Sequence, residues 1–234
     1  MYTNPELAKK LVEFRIQTLP GAMANAKAYG YPGARYPWES SVSGEEQCPN
    51  WQYADHEIHV TADVVHGIWH YYQAAGDMEF LKNALPVLKE TARYWLARVC
   101  RRPGGAVTLD GVMGPDEYIC LCNNNAYTNF MAARSLEITA WALELCGEAA
   151  EPGFIEDLRE TAQGLMNSVD WSGVIPQCDH FEDYEEPDFE TMWPDRSKPF
   201  GGQVSQEYNY RVKALKQADV LMPVSYTHLR AHET

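Results

Sequence analysis

The chain has 234 residues, of which 45% are hydrophobic and 22% charged, a composition that excludes disorder as its main description. Its 19 basic and 33 acidic residues give a formal net charge of −14, which argues against nucleic acid or an anionic membrane surface as a partner. The sequence has no apolar run of about 18 residues and no signal-peptide core near its start, which favours a cytoplasmic location. The six cysteines are scattered and show neither zinc nor disulfide-framework spacing.

Apolar residues recur at helical spacing along most of the chain and predict six helices. These cover residues 3–18, 56–74, 78–99, 124–146, 154–169 and 206–222. The first helix is predicted to have an apolar face of Leu7, Leu11, Phe14 and Leu19, and Asp77 is predicted to cap the third helix. A strand is indicated only at residues 106–109. The pattern therefore predicts an all-α fold of helix hairpins.

Three long loops rich in glycine and proline separate these helices. They cover residues 30–50, 102–122 and 171–204. Loops of this length in a compact chain usually carry function, so we expect the site to be built from them.

Both ends of the chain suggest a fragment. The last predicted helix is stopped by Pro223, and the following VSYTHLRAHET has no apolar periodicity and is similar to a translated cloning adaptor. We therefore expect a partial domain at residues 1–222 and a non-native tail at residues 223–234. His228 and His232 are excluded from the candidate site.

The first loop, GYPGARYPWES, offers a sugar-binding arrangement in Arg35, Trp38 and Glu39. An indole ring can cover the apolar face of a sugar, while a carboxylate accepts hydrogen bonds from its hydroxyls. The alternative is a turn whose tryptophan is anchored in the core.

The second loop contains GPDEY followed by three asparagines. Gly114-Pro115 forces a turn, which places Glu117 where a carboxyl can act as a general acid. Asn124 can hydrogen-bond sugar hydroxyls, or the asparagine run can simply cap the next helix.

The last predicted helix carries Lys216 and Gln217, which can hold sugar hydroxyls or a phosphate, or can lie on an exposed helix face. A polar stripe on the second helix resembles a metal-ligand set, but its spacing is not that of HExxH. It can instead line a water-filled centre, and we expect no metal. The stripe consists of His59, Asp63, His66 and His70.

Four motifs occur in order and together resemble glycoside hydrolase family 65: GARYPWES, HEIHVTADVVHGIWHYY, GPDEY with NNAYTN, and KQADV. The resemblance covers residues 10–222. It implies an (α/α)6 barrel, of which about half of the helices are present here. The family contains inverting phosphorylases of maltose, trehalose, kojibiose and nigerose.

The resemblance also implies residue roles. Glu117 matches the family's general acid, Trp38 and Glu39 match its glucose-binding pair, and Lys216 and Gln217 match its Lys-Gln pair. The implied reaction joins an α-glucosyl disaccharide and phosphate to give β-glucose 1-phosphate and a released sugar. Phosphate is a co-substrate and no cofactor is expected. Because phosphate is already anionic, no catalytic base is needed. The alternatives are a water-using α-glucosidase, a non-catalytic sugar-binding remnant, and a zinc protein.

Two departures from the family pattern leave the acceptor sugar open: Ile119 stands where many members have histidine, and Asn123 stands at an acidic position. The family's phosphate-binding Ser and His loop and its β-sandwich are expected outside this chain. We therefore expect the chain alone to be inactive, and a homodimer is an option for the full-length parent.

Overall fold

The computed structural model describes residues 4–223, so residues 224–234 of the predicted tail lie outside the described residues. Nine helices and two short strands are found within that range. They are α1 Pro5–Gln17, α2 Leu19–Ala28, α3 Trp51–His56, α4 Val60–Ala75, α5 Met78–Arg98, β1 Cys100–Arg101, β2 Val107–Thr108, α6 Ala126–Cys146, α7 Phe154–Asn167, α8 Phe189–Met192 and α9 Gln206–Asn209. Three 3-10 turns follow α7, at Phe181–Asp183, Phe200–Gly202 and Asp219–Leu221.

Helix α6 is the centre of the packing. It contacts α4, α5 and α7, and α4 also packs against α5 and α1. The core between these helices includes Ile68, Leu88, Trp95 and Leu136, none of which is exposed. Each large apolar side chain buried in this way stabilises the fold by about 1.5–3 kcal/mol. The helices therefore form a rigid layer from which the long loops project.

The ends of the long helices follow local capping rules. The Asp77 carboxylate accepts a hydrogen bond from Phe80 N at 2.9 Å, which confirms it as the N-cap of α5. Gly76 ends α4 with a φ of +65°, a conformation that glycine adopts without strain. Asn125 caps α6 by accepting from Thr128 N at 2.9 Å, so the capping alternative holds for this asparagine.

The apolar face predicted for the first helix is wrong. In α1, Leu7 is 57% exposed and Leu11 is 68% exposed, while Ala8 and Val12 are buried. Small side chains allow α1 to approach α4 closely, and Val12 packs where Gly67 carries no side chain. Close helix approach therefore outweighs side-chain hydrophobicity here.

The helix predicted for residues 56–74 is split. His56 ends α3, and α4 begins only at Val60. The His56 carbonyl accepts hydrogen bonds from Met113 N and Ile58 N, both at 2.9 Å. Because this carbonyl is hydrogen-bonded to the loop that contains Met113, the chain turns at Glu57 before α4 begins.

The helix predicted for residues 206–222 is wrong. Only α9 at its start and a 3-10 turn at its end are helical. Between them, Lys213 N donates to Glu185 O at 2.8 Å, and Lys216 N donates to Asp116 Oδ1 at 2.9 Å. The N–H groups of Lys213 and Lys216, which would donate hydrogen bonds within a helix, thus donate to residues of two other loops.

The predicted strand at residues 106–109 is confirmed as β2, which pairs with β1 in an antiparallel ribbon. Among residues 4–223, no helix is both long and apolar enough to cross a membrane.

Candidate active site

Two buried aspartates tie the GPDEY loop to the KQADV segment. Asp116 N donates to Asp219 Oδ1 at 2.7 Å, and Asn125 Nδ2 donates to Asp219 Oδ2 at 2.9 Å. In the reverse direction, Asp116 Oδ1 accepts from Lys216 N at 2.9 Å. Gln177 Nε2 also donates to Asp116 Oδ2 at 2.8 Å. We call this reciprocal arrangement the Asp116–Asp219 clamp.

Gly114 lets the clamp close. A Cβ at this position would overlap Asp219 Oδ2 and Asn125 Nδ2, and would lie 2.7 Å from Asn125 Cγ. The glycine of the GPDEY motif is therefore required by close approach of side chains rather than by an unusual backbone angle.

The clamp brings Glu117 and Lys216 together. Glu117 Oε2 lies 2.7 Å from Lys216 Nζ, and the Glu117 side chain is 20% exposed. The hydrogen bond that the Lys216 ammonium donates to Glu117 raises the pKa of Lys216. The pair is thus a charged, partly accessible contact between two segments that are far apart in sequence.

Two buried carboxyls, those of Glu57 and Asp219, have raised pKa values. Burial, reinforced by the charge of Glu117, raises the pKa of Glu57 to about 9. Burial raises the pKa of Asp219 to about 6, against the effect of its hydrogen bond from Asn125. Burial therefore opposes ionisation of both Glu57 and Asp219, and the charges of Glu117 and Lys216 act on Glu57 in opposite directions.

The Trp38 loop is organised by Glu46, which the sequence analysis did not single out. The Glu46 carboxylate accepts from Trp38 N at 2.7 Å, from Glu39 N at 3.0 Å and from Cys48 N at 3.1 Å. Its own backbone N donates to Asn25 Oδ1 at 3.1 Å. Trp38 is 36% exposed and Glu39 is exposed, so both present their side chains at the surface of a fixed loop.

His59 connects the Trp38 loop with the Glu117 side of the site. Its ring lies edge-on to Trp38, with centroids 6.1 Å apart, and its Nδ1 is 2.8 Å from Asp63 Oδ2. Tyr127 OH donates to Asp63 Oδ1 at 2.9 Å. On the other side, His59 Nε2 lies 3.9 Å from Glu57 Oε2.

Of the predicted site residues, Arg35 and Asn124 have structural partners. The Arg35 guanidinium is buried, bonds the carbonyls of Ala54 and Asp55, and lies 3.9 Å from the centre of the Tyr29 ring. The Asn124 amide donates to Asp179 at 2.9 Å and accepts from Leu109 N and Asn129 Nδ2. These contacts favour loop-holding roles, and the prediction that either residue touches sugar stays a prediction.

The remaining predicted positions differ in exposure. The Gln217 side chain is exposed beside Lys216, and its backbone N bonds Asp116. Ile119 is 2% exposed and packs in the core. The Asn123 side chain accepts from Gly111 N at 3.0 Å.

The polar stripe on α4 does not form a ligand cluster. Two pairs within the stripe are in contact, His59 with Asp63 and His66 with His70, the latter with ring centroids 5.6 Å apart. Burial lowers the pKa of His66 to about 4. Within residues 4–223, no three His, Cys, Asp or Glu side chains are placed to hold a metal ion.

Comparison with known proteins gives a consistent assignment. The profile of the "Glycosyl hydrolase family 65 central catalytic domain" matches residues 1–233. A kojibiose phosphorylase of Halothermothrix orenii is 33% identical over 267 residues, covering 95% of this chain and 32% of the relative. A kojibiose hydrolase of Flavobacterium johnsoniae is 41% identical over 182 residues, covering 77% of this chain and 26% of the relative.

The fold agrees with a solved structure named "Putative kojibiose phosphorylase from human microbiome". The TM-score is 0.84 at 29% identity, over 96% of this chain and 31% of that chain. The all-α fold is therefore of the (α/α)6-barrel type, as predicted. This chain spans about a third of the length of the relatives it matches. It belongs to glycosyl hydrolase family 65.

Proposed function

We propose that the protein containing this chain is an inverting disaccharide phosphorylase in which Glu117 is the general acid. Its substrates would be an α-glucosyl disaccharide and phosphate, and its products β-glucose 1-phosphate and a sugar. The observation that carries the proposal is the clamped Glu117–Lys216 pair, with Oε2 and Nζ 2.7 Å apart at a partly exposed position.

The proposed reaction changes the protonation state of Glu117, and this explains its pairing with Lys216. A protonated Glu117 would donate to the glycosidic oxygen while a phosphate oxygen attacks the glucosyl carbon from the opposite face. Glu117 is then left as a carboxylate, which is the form that pairs with Lys216. The ion pair thus corresponds to the site after turnover, and substrate oxygens that draw Lys216 away would free Glu117 to take up a proton.

The surrounding carboxyls favour phosphate over water as the nucleophile. An inverting hydrolase needs a second carboxylate that activates water. Glu57 and Asp219, whose side chains share the electrostatic environment of Lys216 and Glu117, are 2% and 0% exposed. Neither can hold a water molecule against an exposed sugar face. Phosphate brings its own negative charge and needs no such base.

Hydrolysis is the second candidate, because the Flavobacterium johnsoniae relative is named a kojibiose hydrolase. A water-activating carboxylate would then have to come from outside residues 4–223 or from an exposed loop. Release of glucose at equal rates with and without phosphate would favour this candidate.

The reaction can be tested in a protein of the relatives' full length, in which this chain replaces the matching segment of the Halothermothrix orenii kojibiose phosphorylase. Kojibiose, trehalose and maltose would be supplied with and without phosphate, and the anomer of glucose 1-phosphate read by NMR. We expect phosphate-dependent formation of the β anomer. Glu117→Gln should abolish it, whereas Glu160→Gln, an exposed position on α7, should not. An active Glu117→Gln variant would refute the assignment of the acid.

Sugar binding can be tested separately on the 234-residue chain by calorimetry with glucose. Trp38→Ala should weaken binding by about 5-fold, because a stacked aromatic contact is worth about 1 kcal/mol. Trp193→Ala is the control, since the Trp193 ring contacts Arg196 and Phe200. Equal losses in the two variants would contradict the role of Trp38.

A further inference from the structure

Glu57 is a buried carboxyl that no step above uses. Its side chain has no solvent exposure, and neither oxygen has a hydrogen-bond partner among residues 4–223. The His59 Nε2 atom, 3.9 Å from Oε2, is beyond hydrogen-bond distance and is likewise unpartnered among the described residues. An ionised carboxylate is strongly disfavoured in such a place, whereas a neutral carboxylic acid is tolerated.

The charged groups that face Glu57 act in opposite directions. Glu117 and Asp219 disfavour a second negative charge, and Lys216 favours one. The Lys216 Nζ atom lies 2.7 Å from Glu117 Oε2. Because this ammonium is paired with Glu117, it does not neutralise a charge on Glu57 by direct contact. Burial is the largest influence and raises the pKa of Glu57 to about 9.

We propose that Glu57 is a positioning residue that stays a neutral carboxylic acid and thereby leaves Lys216 paired with Glu117. The catalytic role of Glu57 rests on the proposed function, because it requires Glu117 to be the general acid. When Glu57 loses its proton to hydroxide, giving water and a buried carboxylate, two carboxylates compete for one ammonium. The geometry of the acid is then no longer fixed.

The protonation of Glu57 can be observed directly in the 234-residue chain. Glutamate labelled with ¹³C at Cδ reports each glutamate carboxyl by NMR and leaves aspartates silent. We expect one glutamate signal at the position of a neutral acid at pH 7.5, with a midpoint near pH 9. Glu57→Gln should remove that signal, whereas Glu160→Gln, the exposed control on α7, should leave it in place.

Two further variants distinguish coupling to the pair from simple burial. Glu117→Gln should move the midpoint of the Glu57 signal toward acid, because it removes a neighbouring negative charge. Lys216→Gln should move it toward alkali, because it removes a positive one. Shifts of opposite sign are expected only where Glu57 senses both members of the pair. These variants also identify the signal if Glu57→Gln fails to fold.

The proposal is overturned if all glutamates of the wild-type chain are ionised at pH 7.5, since Glu57 would then be a carboxylate. It is also overturned if the midpoint is unchanged in both Glu117→Gln and Lys216→Gln. None of these measurements requires sugar binding or turnover. A chain that shows the neutral glutamate but no phosphorolysis would therefore refute the proposed function and leave the Glu57 assignment standing.

Discussion

Replacing Gly114 by alanine should open the Asp116–Asp219 clamp. The added Cβ would overlap Asp219 Oδ2 and Asn125 Nδ2, so at least one of these side chains must move. Moving the Asp219 carboxylate would weaken or break the hydrogen bonds that it accepts from Asp116 N at 2.7 Å and from Asn125 Nδ2 at 2.9 Å. The perturbation is steric, because the backbone angle of Gly114 is not one that only glycine can adopt.

The size of the effect follows from these contacts. Overpacking a buried site costs about 1–3 kcal/mol. Each hydrogen bond to a charged group contributes about 1.5–3 kcal/mol. Partial loss of the two bonds gives an expected decrease of about 2–6 kcal/mol in the free energy of unfolding. For a chain of this size, that lowers the Tm by about 5–20 °C.

Urea and thermal unfolding of the 234-residue chain, followed by circular dichroism, would measure the effect. Gly201→Ala is the matched control, because a Cβ there meets no atom within 4 Å. Asp219→Ala should be less damaging in the Gly114→Ala background than in the wild type, with a coupling energy of about 1 kcal/mol or more. A Gly114→Ala chain as stable as the Gly201→Ala control would refute the clamp.

Two other predictions concern pH and the first loop. Because burial lowers the pKa of His66 from 6.5 to about 4, the unfolded chain binds more protons between these values. The free energy of unfolding should therefore fall by about 3 kcal/mol from pH 6.5 to pH 4. In urea titrations at several pH values, His66→Asn should reduce this dependence on pH. An unchanged dependence in the variant would exclude His66 as its cause. Glu46→Ala should release the backbone of Trp38 and Glu39, giving faster proteolysis at residues 38–48 and weaker glucose binding; wild-type cleavage rates would show that other contacts hold the loop.

The long helices could be predicted from the sequence because their signals are local. Helices α5, α6 and α7 begin and end within two residues of their predicted bounds, since apolar periodicity and caps such as Asp77 lie within the segments themselves. The segment at 206–222 failed for the opposite reason. The acceptor for Lys216 N is Asp116, 100 residues earlier, and no local pattern contains that contact.

The site was predictable only in part. Glu117 and Lys216 were expected to belong to one site, and the structure places them in contact. Glu57, Glu46 and Asp219 were not singled out, although Glu57 and Asp219 stand inside quoted motifs. Their importance depends on burial and on partners from other loops, neither of which a one-dimensional motif contains.

The adjacent carboxyls of GPDEY show how one dipeptide can supply both a support and a reactive group. The backbone turns Asp116 inward, where burial raises the pKa of its carboxyl and four hydrogen-bond donors surround it. The same turn leaves Glu117 partly exposed and able to reach Lys216. Because Asp116 holds the backbone N of Lys216, any displacement of the loop moves the acid and its cation together. A pair assembled from segments 100 residues apart therefore keeps its geometry through the neighbour of the acid rather than through the acid itself.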